Sequence, residues 1–376
     1  MRVFVFIFIA LFLISCENRL DFQRKTVENE SIKELNLDKI FSMDMTEENS
    51  DFYALQPRSF FFDNKCNFYV VDQNSCQVLK FDENGKFVKK FCGKGNGPGE
   101  FVSYGNMFLN FSYNDKIYIH DDAQQKYLIF DNEGNFTRFL ELNNSGKCAK
   151  IGELNGNLYG LFAHDFVNET ESKAFMNFSL VHLDTNLTIL DTLDVFKSKV
   201  SIDIKSKDFV DFTKIPFDEN PLFVFGNDRV FTSEFSTNEY LLHQFNLNGK
   251  VKNSLSKKYA NIEFLDDNDR NSYGFGFADM WKNRKYKNSI TGLIWDSKKE
   301  NLWVGSTYRK TDKDEGLIQF DLYGKDLDYN YSVKIKIPVI MEFIGALDNI
   351  RIVDNKLYHM DLMRNKVEIY KISDIE

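Results

Sequence analysis

Residues 64–91 read NKCNFYVVDQNSCQVLKFDENGKFVKKF, and residues 114–140 read NDKIYIHDDAQQKYLIFDNEGNFTRFL. Aligned on Tyr69 and Tyr118, both segments place an aspartate three residues later (Asp72, Asp121), an aromatic twelve later (Phe81, Phe130) and a glycine sixteen later (Gly85, Gly134). Each reads as two short apolar strands around a polar corner, followed by a turn of Asn, Asp and Gly, the residues that tolerate the positive φ of tight hairpins. A third copy, NKLYHMDLMRNKVEIYKI (residues 355–372), sets Asp361 and Tyr370 three and twelve residues after Tyr358. Looser copies pair NGNLYGLF (155–162) with FSLVHLDTNL (178–187), NDRVFTSEF (227–235) with YLLHQFNLNG (240–249), and ENLWVGSTY (300–308) with GLIQFDLYG (316–324). The chain therefore contains six units.

Apolar runs flank these hairpins: RSFFFD (58–63), YGNMFLNF (104–111), PLFVFG (221–226) and ITGLIWD (290–296) before them, FVKKF and FTRFL after them. Four strands recurring at intervals of ~40–50 residues predict radial blades whose two faces are both buried, an all-β, six-bladed propeller of four-stranded antiparallel sheets. Only five prolines occur in 376 residues, as expected where strands must donate ladder hydrogen bonds. The last unit stops at Ile372 without a fourth strand, and ELNLDKIFSMDM (34–45) is an unassigned apolar run. The prediction is that this N-terminal strand closes the last blade, leaving no open edge in the ring.

Between the first two units lies GKGNGPGEF (93–101). Lys94 is not followed by Ser or Thr, Pro98 replaces the last glycine of a G-x-G-x-x-G pattern, and no helix follows to hold an anion. The run reads as a crossing from the rim of one blade to the axis of the next. Its glycines permit unusual φ, Glu100 ties the loop through backbone hydrogen bonds, and Phe101 packs between blades.

The segment 64–101 resembles the NHL-type propeller repeat, and the chain resembles the six-bladed β-propeller lipoproteins of bacteria. The likeness is good over the first two units, fair at the sixth and weak between them. Where NHL corners often carry Asn and Arg, this chain has Ser75 and Gln77, Gln124 and Lys126, and Arg364 and Lys366. The nucleic-acid face of some NHL proteins is therefore not implied. A net charge of -9 likewise argues against gripping nucleic acid through its phosphates.

At the N-terminus, Arg2 precedes an apolar run over residues 3–14 that is too short for a bilayer span of ~20 residues and fits a secretory signal. LISC (13–16) resembles the lipobox of bacterial lipoproteins, which implies cleavage before Cys16 and lipidation of that residue. The expected organisation is a signal over 1–15, a lipid-anchored tether over 16–32 and the propeller over 33–376. The expected place is the cell envelope, at the outer membrane, facing the periplasm or the outside. Cys66, Cys76, Cys92 and Cys148 form no C-x-x-C pair and no zinc spacing. They read as packed or partly exposed thiols.

Three stretches exceed the repeat: 163–177, 201–220 and 257–288. The last carries Tyr273, Phe275, Phe277, Trp281 and Tyr286 among Lys282, Arg284, Lys285 and Lys287, a mixture that suits a sugar ring or a peptide as well as packing of the loop on its own domain. Tyr273, Trp281, Arg284 and Tyr286 are the candidate ligand contacts there. Arg58, at the start of a predicted inner strand, and Asp63 and Asp296, at the ends of two others, are the candidates at the channel mouth. The histidines fall elsewhere: His120 and His359 on second strands, His182 and His243 on third strands, His164 in an insertion. His120, Asp121 and Asp122 have metal-ligand chemistry, but Asp121 occupies the repeated corner where its expected duty is the turn. No nucleophile elbow, HExxH or EF-hand loop is present.

No catalytic residue, metal or cofactor is assigned. The expectation is a monomeric binding or scaffolding module for a protein, peptide or glycan ligand. The alternative is a metal-dependent propeller enzyme, of lyase or lactonase type, with its site at the central channel.

Overall fold

A computed structural model describes residues 23–27, 32–46, 51–102, 109–141, 147–170, 173–200, 222–233, 239–246, 251–259, 261–264, 285–310, 315–338, 349–361 and 364–373. Three strands come first: β1 (Gln23–Val27), β2 (Ile32–Leu35) and β3 (Leu37–Asp44). Blade 1 is β4 (Pro57–Phe62), β5 (Phe68–Asp72), β6 (Gln77–Phe81) and β7 (Phe87–Phe91); a two-stranded crossing follows, β8 (Gly93–Lys94) and β9 (Glu100–Phe101). Blade 2 is β10 (Phe111–Tyr113), β11 (Lys116–Asp121), β12 (Lys126–Asp131) and β13 (Phe136–Glu141), and blade 3 is β14 (Lys147–Leu154), β15 (Asn157–Thr170), β16 (Lys173–Leu183) and β17 (Ile189–Val200). Blade 4 is β18 (Leu222–Phe225), β19 (Arg229–Ser233), β20 (Tyr240–Asn246) and β21 (Val251–Lys257). Blade 5 is β22 (Gly292–Asp296), β23 (Asn301–Lys310), β24 (Glu315–Gly324) and β25 (Tyr329–Pro338). Blade 6 is β26 (Ile350–Val353), β27 (Lys356–Asp361), β28 (Lys366–Ile372) and, closing it, β3.

The fold is the expected one, an all-β propeller of six blades, each built on four antiparallel strands. Closure occurs where the sequence placed it: β3 runs antiparallel to β28, with Met43 opposite Val367 and Leu37 opposite Ile372. Two further strands were not anticipated. β1, inside the stretch expected as a tether, pairs in parallel with the outer strand β21 of blade 4, and β2 pairs in parallel with β25 of blade 5. The N-terminal segment thus runs along the rim of blades 4, 5 and 6 in turn.

Among the described residues, buried hydrophobic side chains gather in six clusters, one between each pair of neighbouring blades. Strand β5 shows how the sequence produces this: Phe68 and Val70 enter the cluster against blade 6, whereas Tyr69 and Val71 enter the cluster against blade 2. A strand buried on both faces needs a continuous apolar run, and FYVV is one. At ~1.5–3 kcal/mol for each large side chain fully buried, these interfaces are the main favourable contribution to the fold.

One turn geometry recurs at the same end of the blades. In residues 63–67, 82–86, 131–135, 184–188 and 324–328, the first residue's carbonyl accepts from the fourth N–H and its N–H donates to the fifth carbonyl. The fourth residue is left-handed in every case: Cys66, Gly85, Gly134, Leu187 and Leu327. Where the first residue is aspartate, its carboxylate also accepts from the fifth backbone N–H, as Asp63, Asp82, Asp131 and Asp184 do. The two glycine turns that the repeat singled out also fit against the preceding blade. A Cβ on Gly85 would lie 2.6 Å from the Phe41 ring of β3, and one on Gly134 would lie 2.8 Å from Phe91 of β7.

The closing strand is held by one carboxylate as well as by its ladder. Glu368 accepts from Lys39 Nζ at 2.9 Å, Ser42 Oγ at 3.5 Å and Tyr370 Oη at 2.6 Å. Burial pushes its pKa up, but the bonds from Tyr370 and Lys39 outweigh burial and hold it below the usual glutamate range. His359, opposite Glu368 in the ladder, is buried with Nδ1 unpartnered; burial lowers its pKa against the opposing pull of Asp361 and Glu368.

Two predictions follow from this clasp. Gly85→Ala should cost about 1–3 kcal/mol in urea unfolding, because φ is +90° and Phe41 fills the space. Gly156→Ala, at φ +74° in open space, should cost about 1 kcal/mol, so equal losses would exclude the Phe41 contact as the cause. For pH, a buried neutral histidine contributes stability that is present above the unfolded value of 6.5 and lost as pH falls below it. Glu368 contributes stability present above 4.5 and lost as pH falls through its lower folded value. The unfolding midpoint should therefore fall from pH 6.5 downward and more steeply below 4.5. His359→Gln should flatten the first part, leaving the share of His243, whose pKa burial also lowers.

Candidate functional site

Antiparallel blades sort every connection onto one of two faces. The first strands of successive blades lie side by side around the axis. Turns from first to second strand and from third to fourth fall on one end; second-to-third corners and the inter-blade crossings fall on the other, the crossing face. The turn face carries only short connections, such as residues 114–115, 155–156, 226–228, 297–300 and 354–355.

Elaboration is confined to the crossing face. The expected excess at 163–177 is a lengthening of the β15–β16 hairpin of blade 3, in which Val167 pairs with Phe175 well beyond the blade. Blade 5 has a matching extension that the repeat did not reveal: β23 and β24 continue their pairing to Lys310 and Gly316. Residues 201–220 lie outside the described residues, in the crossing from blade 3 to blade 4, and 257–288 forms the crossing from blade 4 to blade 5. Two long hairpins and the long crossings before and after blade 4 therefore share one face, together with the crossing over 92–110 between blades 1 and 2.

The 257–288 insertion is pinned at both ends by buried polar contacts. Lys257, the last residue of β21, donates to Asp321 Oδ2 at 2.9 Å, and both side chains are within 5% of full burial. Ser332 Oγ donates to Asp321 Oδ1 at 2.5 Å and meets Tyr329 Oη at 2.8 Å; Tyr323 Oη donates to Tyr240 Oη at 3.1 Å beside them. Burial, and then the Asp321 charge, push the Tyr240 phenol well above its ordinary pKa, so it stays protonated. The returning arm is tied by Lys287 N to Ile262 O at 2.8 Å and Ser289 Oγ to Glu239 O at 2.5 Å, and a bridge pairs Glu263 with Tyr286. These contacts fix where the insertion leaves and rejoins the ring.

The predicted site residues do not come together. Tyr286 is half-buried at the neck of the insertion, with Lys285 Nζ 5.1 Å from its ring centroid and paired to Glu263 at 2.9 Å. Tyr273, Trp281 and Arg284, from the same insertion, lie outside the described residues, as does Cys16. Arg58 is the bulged residue at the start of β4, at the crossing face. Asp63 and Asp296 stand at first-to-second turns, on the opposite face. Nor are their carboxylates open at a channel mouth: Asp63 accepts from Lys65 N, Asn67 N, Asn67 Nδ2 and Tyr69 Oη, and buried Asp296 accepts from Lys298 N, Lys299 N and Asp354 N. Position at a strand end suggested the channel, but the turn's own N–H groups claim both side chains.

Inner-strand polar groups are engaged across blades as well. Asn110 donates to Ser59 Oγ at 3.0 Å, Ser112 to Phe62 O at 2.8 Å and Lys150 to Phe223 O at 2.7 Å, while the Arg351 guanidinium lies 5.2 Å from the Phe60 ring. At the corner of blade 2, Asp121 accepts from Gln124 N and from Val102 N, midway along the crossing that leads into that blade; Asp72 does the same for Leu55 N and Gln56 N at blade 1. The corner aspartates therefore fix crossings as well as turns. Among the described residues no group of three or more His, Cys, Asp or Glu is arranged to hold a metal ion.

Residues 17–337 match the family DUF5128, described as a 6-bladed beta-propeller. The chain belongs to this family. No curated protein sequence matches the DUF5128 chain. Solved structures do. A member of the DUF4221 family from Bacteroides vulgatus shares 10% identity over 90% of this chain and 98% of that one, with a TM-score of 0.51. A Bacteroides fragilis protein named as exported shares 17% over 93% and 98%, at 0.49. Virginiamycin B lyase from Staphylococcus aureus shares 9% over 90% and 99%, at 0.41. The Bacteroides vulgatus likeness supports the fold of the DUF5128 propeller, and at these identities it extends no further.

Replacing Lys257 with Met would leave the buried Asp321 without its cation. It should destabilise the DUF5128 propeller by about 3–5 kcal/mol in urea unfolding, and Lys257→Met with Asp321→Leu should recover most of that loss.

Proposed function

We propose that the protein is an exported, lipid-anchored propeller of the bacterial cell envelope that binds a protein, peptide or glycan ligand on its crossing face. The carrying observation is the one-sided elaboration: long hairpins from blades 3 and 5 and long crossings on either side of blade 4, against a turn face of minimal connections. Loops that serve only to connect strands stay short. Lengthened connections gathered on one face suit recognition, in which varied segments are presented by a rigid scaffold. The aromatic and basic residues of the 257–288 insertion, Trp281 and Tyr286 with Arg284, supply stacking faces beside donors. The N-terminal signal pattern ending at Cys16 supports export and lipidation, and the resemblance to bacterial propeller lipoproteins runs the same way.

Two experiments test the reading. Labelling cells with a fatty acid should mark the wild type and leave Cys16→Ala unmarked; label on neither would remove the anchor. Purified protein probed on peptide and glycan arrays should yield ligands whose affinity falls about tenfold or more, roughly 1.4 kcal/mol, in Trp281→Ala with Tyr286→Ala. Glu83→Ala with Lys86→Ala, on the turn face, should leave binding unchanged. Ligands lost by the second pair and kept by the first would overturn the assignment of the face.

A further inference from the structure

Cys76 and Cys92 sit at adjacent corners of blade 1. Cys76 closes the corner that leads into β6, and Cys92 follows the last residue of β7. These strands are antiparallel with Val78 opposite Phe91, so Cys92 comes next to Gln77 and Cys76 is one residue beyond. In an unbroken pleat, this one-residue offset would send the two thiols to opposite faces. The pleat is broken at both: φ is +54° at Cys76 and +71° at Cys92. As a result both side chains face the same cluster, between blades 1 and 2, where Cys76 is fully buried with Val78, Phe91 and Phe101 and Cys92 packs against them. Burial pushes the Cys92 thiol well up, and the nearness of Cys76 pushes it further.

The other two thiols have no such neighbour. Cys66 lies in the turn before β5, at the opposite end of the blade, and a five-residue strand spans roughly 16 Å at ~3.3 Å per residue. Cys148 belongs to blade 3. A disulfide needs Cα atoms within ~7 Å, which the register of β6 and β7 permits for Cys76 and Cys92 and the fold denies to every other pairing of these four.

We propose that Cys76 and Cys92 are a disulfide pair, closed by exchange with an oxidised dithiol or a small disulfide such as oxidised glutathione. One cysteine thiolate attacks a sulfur of the external disulfide, forming a mixed disulfide and releasing one thiol. The second cysteine thiolate then attacks the protein sulfur of that mixed bond and releases the second thiol. Two electrons and two protons pass from the protein to the external disulfide, which leaves as two thiols. Burial keeps both cysteines protonated in the folded blade, so the exchange runs as blade 1 folds or opens. The bond encloses β6, its turn and β7, and joins the β5–β6 corner to the first residue before the glycine-rich crossing.

The pair stands on the geometry of blade 1 whether or not the protein is exported; export would supply the oxidising compartment. The test is thiol mapping of the purified protein refolded in a glutathione redox buffer, alkylated in denaturant, digested and analysed by mass spectrometry. Free thiols among the four should fall to two, with Cys66 and Cys148 alkylated and one peptide pair linked through Cys76 and Cys92. Alkylation of all four, or a dominant link through Cys66 or Cys148, would overturn the proposal. In wild type, oxidation should also raise the unfolding midpoint, a shift reversed by reductant. Cys76→Ala with Cys92→Ala should unfold at one midpoint under both conditions, and a persisting redox shift in it would locate the effect elsewhere. The linkage result in wild type decides the matter even if that variant folds poorly.

Discussion

Every blade of this protein must bury two faces, and that requirement governs the rest of the structure. A blade with one neighbour leaves half of its hydrophobic side chains in water, so blades are stable only as members of a complete ring. The interface between blades 6 and 1 is where the requirement becomes acute, because it joins the two ends of the chain. Met43, Val367, Ile369 and Tyr358 on one side meet Phe60, Phe68, Leu79 and Phe81 on the other. The cluster exists only while β3 is seated on β28. The left-handed Gly85 of the β6–β7 turn, the Phe41 ring above it and the Glu368 carboxylate all serve that one seating.

What the sequence disclosed follows from the same requirement. Blades 1, 2 and 6 carry the pattern most faithfully because their corner aspartates, buried tyrosines and tight turns are all needed at fixed spacing, and fixed spacing is what periodicity detects. Asp72 and Asp121 illustrate this: each must reach both its own corner and the preceding crossing, so neither can drift by a residue. The glycine run at 93–101 was legible for a related reason. Gly99 is left-handed at φ +79°, a side chain at Gly95 would collide with Glu100, Glu100 accepts from Gly97 N at 2.9 Å, and Phe101 is fully buried between blades.

The remainder was hidden for identifiable reasons. The hairpin extension of blade 5 continues a strand already present, so it changes the length of a unit without changing its signature. β1 and β2 are added to the rim through backbone hydrogen bonds, which any sequence without proline can make, and Ile32, nearly half exposed, shows how little their side chains are constrained. Lys257 and Asp321 stand 64 residues apart, and nothing local marks them as partners. Asp63 and Asp296 show the opposite case: a carboxylate at a strand end has the same sequence appearance whether it faces a ligand or its own turn, and the turn's donors are visible only in the fold.

The path of the N-terminal segment along the rim has a consequence in time. A chain made from its N-terminus produces β1, β2 and β3 first, yet Gln23 pairs with Asn253, Ile32 with Ser332 and Met43 with Val367. The earliest strands thus have no partner until the last blades emerge. Contacts so distant in sequence carry the full entropy of closing the loop between them, and they form late. The segment nearest the proposed membrane anchor is therefore the last to be seated, and its seating is the event that locks the finished ring.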